Sequence, residues 1–335
     1  MGRDPVAVDA DSPGGGHREG ADSGERPTGA GLRSQPGDGR RAQGGCLMSG
    51  MFKCLAPGAI GVKATMEEAL GLVQGSGFSG LDVNARDLCH LVDERGAAEV
   101  ISLFEGHGAR IGGWGLGIDW NGPETDYQEG LDALPEIAAA AASVGATRVT
   151  QWIPPASDDL KFRENYRFHV ERLRPIAEIL KGVGCRLGLE FIGPRTMRTE
   201  KPYGFLYSLQ GVMALTESIG TGNVGLLLDV WHWYTSLGAP SDIAALDAED
   251  IVYVHVNDAP ADRGFTEQID HQRTLPSETG VIDLVGCLKV LKDLGYDGPV
   301  TPEPFSDRVR ALPDEEAIEE THAGLDKAWQ AARLT

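Results

Sequence analysis

The chain has 335 residues, 41% of them hydrophobic, which suffices for one large domain or two small ones with a sizeable core. Its formal net charge of −20 argues against a nucleic-acid backbone as the main partner, because such proteins present a basic face. No apolar run approaches the ~20 residues that span a bilayer, and the five dispersed cysteines, with no CxxC pair, indicate neither a disulfide framework nor a zinc ribbon. A reducing, cytoplasmic setting is the expectation.

Residues 1–50 are rich in Gly, Asp, Arg, Ser and Pro, as in Ser12-Pro13-Gly14-Gly15-Gly16. They hold too few apolar groups to offset the entropy of ordering, and no apolar core of a secretory signal. They read as a disordered N-terminal extension, or as an over-extended start with Met48 or Met51 as the true one. The folded domain is expected over residues 54–335.

From Gly58 short apolar runs alternate with helical patterns. The pattern predicts strands at Gly58–Val62, Gly80–Asn84, Arg110–Leu116, Thr147–Trp152, Arg186–Phe191, Val224–Asp229, Ile251–Val256 and Val300–Glu303. It predicts helices over Met66–Gln74, Ala85–Arg95, Tyr127–Val144, Phe162–Val183, Ser208–Ile219, Leu284–Leu294 and Glu315–Ala332. Thr65 is the expected N-cap of the first helix, with Glu67 and Glu68 suiting the positive end of its dipole. Eight strands alternating with helices match an α/β fold, a (β/α)8 TIM barrel, in number and length. A doubly wound open sheet is the structural alternative.

Four of these strands end on metal-type ligands. Leu187-Gly188-Leu189-Glu190, Gly225-Leu226-Leu227-Leu228-Asp229, Ile251-Val252-Tyr253-Val254-His255 and Pro299-Val300-Thr301-Pro302-Glu303 each close an apolar run on a Glu, Asp or His. A buried strand does not end on an unpaired charge without cost, so the four ends are expected to converge. In a barrel they close strands five to eight at the C-terminal face, where parallel strands deliver catalytic side chains. Glu190, Asp229, His255 and Glu303 make an oxygen-rich site with one imidazole. It suits one divalent ion: manganese is the expected metal, with magnesium, cobalt and zinc as alternatives.

At these residues the chain resembles the xylose-isomerase-like barrel superfamily. The resemblance spans roughly Gly58 to Asp307 and rests on GLEFIGP at 188–194, LLLDVWHWY at 226–234, VHVNDAP at 254–260 and GYDGPVTPEPF at 295–305. That group includes ketose 3-epimerases, inosose isomerases and dehydratases, hydroxypyruvate isomerases, 3-dehydroshikimate dehydratases, the metal-bearing subunit of C-glycoside deglycosidases, and endonuclease IV. The resemblance implies one ion on Glu190, Asp229, His255 and Glu303. It gives the two glutamates a second role, one removing a proton beside a carbonyl and the other returning it through an enediolate. It places His232 and Arg263 on substrate oxygens. The implied substrate is a keto-sugar, keto-inositol or related polyol, and the implied reaction an isomerisation or epimerisation. A lyase sharing the first half of that chemistry is the alternative, and a non-catalytic sugar-binding barrel stands behind both. A homo-oligomer or a partner subunit stays open.

The endonuclease branch carries three zinc ions and an Asp-x-His pair after strand seven. Here the stretch is Ile269-Asp270-His271-Gln272-Arg273, with Gln272 where the second ligand would stand. Arg273 either reaches into the site or anchors its loop. Trp114 and Trp152, at the ends of strands three and four, are expected to line the mouth, where aromatic faces stack on sugars. Gly112-Gly113-Trp114-Gly115-Leu116-Gly117 lacks the helix start of a phosphate loop and reads as a close backbone approach near the pocket. Asn257 and Asp258 either contact substrate, orient His255 or cap the loop.

Overall fold

In a computed structural model, residues 50–334 are described, so the expectations for residues 1–49 lie outside them. The described residues form a (β/α)8 barrel. Its strands are Phe52–Leu55, Gly80–Leu81, a third in two pieces (Arg110–Ile111 and Trp114–Gly115), Arg148–Ile153, Arg186–Phe191, Val224–Asp229, Ile251–Val256 and Pro299–Pro302. Neighbouring barrel strands run parallel, and the first pairs with the eighth through Phe52↔Pro299. The two pieces of the third strand complete the ring. Gly112 N donates to Leu81 O on one side, and Leu116 N donates to Thr150 O on the other. This closure excludes the open doubly wound sheet.

The first strand lies earlier than the pattern predicts. Residues Pro57–Ile60 form a 3-10 turn with Pro57 at its start, because proline's fixed φ and missing N–H suit a helical first position better than a paired strand. A helix at Ala97–Gly106 also stands where none was expected. The helix after strand three starts at Glu124 rather than Tyr127. Thr65 caps the first helix as anticipated: its Oγ1 accepts from Glu68 N, and the Glu68 carboxylate accepts from Thr65 N at 2.8 Å.

The break in strand three has a steric cause. A Cβ on Gly112 would lie 2.3 Å from Asp82 Oδ1 and 2.4 Å from Cys54 Sγ, and one on Gly113 would lie 2.6 Å from Tyr253 Cε2. Only backbone fits beside the side chains that fill this part of the barrel interior.

Candidate active site

The strand register sets the site. His255 is level with Asp229 on one side and Thr301 on the other, and Glu303 N donates to Val256 O just beyond the eighth strand. Glu190, at the end of strand five, is level with Trp152. The four ligand-type residues thus meet on the C-terminal face, with one donor atom from each lying within 4.8 Å of all the others. His255 Nδ1 stands 3.5 Å from Glu190 Oε1 and 3.4 Å from Glu303 Oε2. Both Glu190 Oε1 and His255 Nδ1 are buried and make no hydrogen bond. Buried polar atoms without partners are rare, and each needs an explanation. A divalent ion among three carboxylates and an imidazole supplies one, and this donor set fits such an ion.

Arg273 is the main counter-charge. Its side chain is almost fully buried, with Nη1 at 2.7 Å from Asp229 Oδ2 and 3.1 Å from Glu303 Oε2, and Nη2 at 2.6 Å from Asp270 Oδ1. Asp229 also caps the helix Val230–Thr235, accepting from Trp231 N at 2.7 Å and His232 N at 3.2 Å. Burial alone would raise the Asp229 carboxyl, but Arg273, His232 and His255 hold it down to about 2. Burial pushes the Glu190 carboxyl up to about 7. Burial also opposes charge on His255, yet Glu303 and Glu190 beside it raise its pKa well above the usual histidine range.

Glu190 is not an ion-pair partner of the arginines that open its own strand and the preceding one. Arg148 donates to Val252 O and Asp297, and Arg186 donates to Glu249 O, so neither arginine partners it.

A model of the xylose isomerase-like TIM barrel family matches residues 70–328. The chain belongs to that family. Among curated proteins it is 29% identical over 198 residues to an inosose isomerase of Halalkalibacterium halodurans, covering 59% of this chain and 67% of that one. It is 26% identical over 269 residues to a 3-dehydroshikimate dehydratase of Pseudomonas aeruginosa, covering 76% of this chain but 38% of that longer protein. Among solved structures, a xylose isomerase domain protein from Alicyclobacillus acidocaldarius superposes with a TM-score of 0.74 at 30% identity. That match covers 84% of this chain and 99% of the other.

The remaining expected family residues fall in different places. Trp152 is 51% exposed at the mouth, on the strand position level with Glu190. Trp114 is 2% exposed, and its indole donates to Ala146 O at 2.9 Å. It pairs in register with the fully buried Val149, not with the cavity-lining Thr150, so it packs in the core and does not line the mouth.

His232 is 1% exposed and sits between the Gly193 amide, 3.2 Å from Nδ1, and Arg273 Nη2, 3.0 Å from Nε2. Burial lowers its pKa to about 4. It supports the guanidinium rather than facing the cavity. Gly193 permits this contact, since a Cβ there would lie 2.1 Å from His232 O.

Arg263 makes no hydrogen bond to the four ligands among the described residues. Its carbonyl accepts from Gln268 Nε2 at 3.3 Å, and its Nη1 is buried without a partner. Arg273, ten residues on, is the arginine that enters the site. The sequence left Arg273 open between reaching into the site and anchoring its loop, and it does both, through Asp229 and Asp270.

Asp258 ties down its loop, accepting from Thr279, Gly280 and Ile282 amides, while Asn257 Nδ2 reaches Glu303 O at 3.2 Å. His271 and Gln272 are exposed, and Asp270 is occupied by Arg273, so no further metal cluster forms there among the described residues. No helix among them is long and apolar enough to cross a membrane.

Proposed function

We propose that the protein is a divalent-metal-dependent isomerase of a keto-polyol of the inosose type. The observation that carries this reading is the convergence of four donor atoms within 4.8 Å, two of them buried without hydrogen bonds. The similarity to an inosose isomerase over 59% of the chain supports the substrate class. Glu190, Asp229, His255 and Glu303 would hold the ion, with manganese the expected one. When bound, the ion neutralises negative charge that develops as a carbon acid beside a carbonyl loses its proton. Glu190 and Glu303 come from strands five and eight, so they face a bound substrate from two sides. One carboxylate takes the proton from the carbon beside the carbonyl and the other returns a proton to the former carbonyl carbon, while the hydroxyl proton passes to the former carbonyl oxygen, so ketone and hydroxyl exchange places. Arg273 holds the Asp229 and Glu303 carboxylates in place through its Nη1. Trp152 offers an exposed indole face to the apolar side of the ring.

A lyase reading has its own support, the similarity to a 3-dehydroshikimate dehydratase over 76% of the chain. It shares the first proton transfer and differs in expelling water afterwards. Incubating the manganese-loaded protein with keto-inositols and 3-dehydroshikimate in D2O, followed by NMR, separates the two. Deuterium uptake with a rearranged carbonyl and no loss of water supports isomerisation, and loss of water supports the lyase. Glu303→Gln is expected to lower exchange by about 10²–10⁴-fold, the usual contribution of a positioned acid or base. Undiminished exchange in that variant, or about zero ions per chain by metal analysis, would sink the proposal.

A further inference from the structure

The ligand-bearing strands five to eight form one arc of the barrel mouth. A cavity of about 580 Å³ opens from His255 and Glu303 towards the other arc, where its polar wall includes Thr150, Asp82 and Lys63. Asp82 follows strand two directly. Its Oδ1 is enclosed, accepting from Gly113 N at 2.8 Å, from the Tyr253 hydroxyl and from Cys54 Sγ at 3.4 Å. Tyr253 is fixed in turn by Thr301 Oγ1 at 2.6 Å. No hydrogen bond among the described residues reaches Oδ2, so Oδ2 is the oxygen that this half-buried side chain presents to the cavity.

Two neighbouring oxygens on this wall are already engaged. Asn84 Oδ1 caps a helix through Arg86 N and Asp87 N, and Thr65 is locked in its capping box with Glu68. Of the residues lining the cavity, Lys63 alone carries a fixed positive charge, and it is exposed, whereas Asp82, Asp87 and Glu303 are acidic. A carboxylate held by three donors in a partly desolvated wall is a strong, fixed hydrogen-bond acceptor for hydroxyls and a repulsive neighbour for anions.

We propose that Asp82 is a specificity-determining residue of this site: its free oxygen accepts hydrogen bonds from the hydroxyls of a neutral polyhydroxy ketone and disfavours ketones that carry a carboxylate at that position. The inference rests on the metal-dependent reading given above and deepens it. It selects the neutral inosose type over the anionic dehydroshikimate type.

The test compares wild type with Asp82→Asn, both manganese-loaded, using a keto-inositol as the neutral probe and 3-dehydroshikimate as the anionic one. Asn keeps an oxygen for Gly113 and Tyr253 and puts an uncharged amide donor where the free oxygen stood. The expected result is a wild-type preference for the neutral probe. Asp82→Asn should raise KM for the neutral probe about tenfold, the effect of losing roughly one charge-assisted hydrogen bond, and lower KM for the anionic probe. A merely structural role would instead lower Tm and weaken both probes together, and that result overturns the inference. So does a wild type that prefers the anionic probe, whether or not the variant folds. An active wild type with Asp82→Asn unchanged on both probes removes the inference alone. A wild type inert on both probes removes the metal-dependent reading itself, and the inference with it.

Discussion

Arg273 Nη1 lies 2.7 Å from Asp229 Oδ2, with both side chains buried. The pair ties a loop residue after strand seven to the end of strand six. It also brings a positive charge to the edge of a cluster that otherwise holds three carboxylates. Asp270 and Glu303 are its other carboxylate partners; burial opposes the charge, but attraction to Asp229, Asp270 and Glu303 outweighs it and raises the guanidinium's pKa further. Removing one member of a buried ion pair leaves the others uncompensated, which costs about 3–5 kcal/mol. Arg273→Ala is expected to lower unfolding free energy by that order in urea titrations and to abolish turnover. Arg273→Lys should recover part of the stability and little of the activity, since an ammonium cannot span Asp229, Glu303 and Asp270 at once. Unchanged stability in Arg273→Ala would show that the cluster is relaxed by other means.

Metal loading offers a second measurement. An ion that binds only the folded protein stabilises it by about 3 kcal/mol at a hundredfold excess over Kd. For a domain of this size that is a Tm rise of roughly 5 to 10 °C. Chelator treatment followed by manganese addition should show this rise in wild type and lose most of it in His255→Ala. An equal rise in both proteins would place the ion elsewhere.

The convergence of Glu190, Asp229, His255 and Glu303 was legible because each closes a short apolar run, and the barrel topology then sends all such ends to one face. Arg273 was ambiguous for a different reason. Its place depends on the path of the loop from 257 to 282, which Asp258 fixes through the Thr279, Gly280 and Ile282 amides, and no periodicity reports such contacts. The choice of Arg263 followed from the same indeterminate loop length. Trp114 was expected at the mouth because it stands at the end of strand three, but it is level with buried Val149 and its indole reaches Ala146 O, contacts that a place at a strand end does not report. The first strand was misplaced because Ala59-Ile60-Gly61-Val62 looks as apolar as Phe52-Lys53-Cys54-Leu55, and only pairing with strand eight distinguishes them.

Gly113 links the fold to the cavity wall. A Cβ there would meet Tyr253 Cε2 at 2.6 Å and Arg148 O at 3.0 Å, and neither a packed ring nor a strand carbonyl yields cheaply. Gly113→Ala is expected to cost about 1–3 kcal/mol, the usual penalty of overpacking. It should also displace the Tyr253 hydroxyl from Asp82, so KM for a polyol substrate rises more than kcat falls. A stable Gly113→Ala protein with wild-type KM would show that the ring moves aside without disturbing Asp82.

Acid sensitivity is expected to arise partly at His169, away from the ligands. The ring is 1% exposed, packs against Phe205 at 4.4 Å and Trp120 at 4.8 Å, and has Nδ1 2.8 Å from Asn165 O, while Nε2 is buried without a partner. Burial lowers its pKa from 6.5 to about 4, only slightly opposed by the Asn165 carbonyl. The folded state thus binds its proton more weakly than the unfolded chain does. The stability this residue contributes is fully present above pH 6.5, declines as pH falls, and is lost by about pH 4, a span of roughly 3 kcal/mol. Denaturation titrations between pH 7 and 4 should therefore show a steeper fall for wild type than for His169→Gln, which has no proton to gain. Parallel curves for the two proteins would assign the acid sensitivity to other groups.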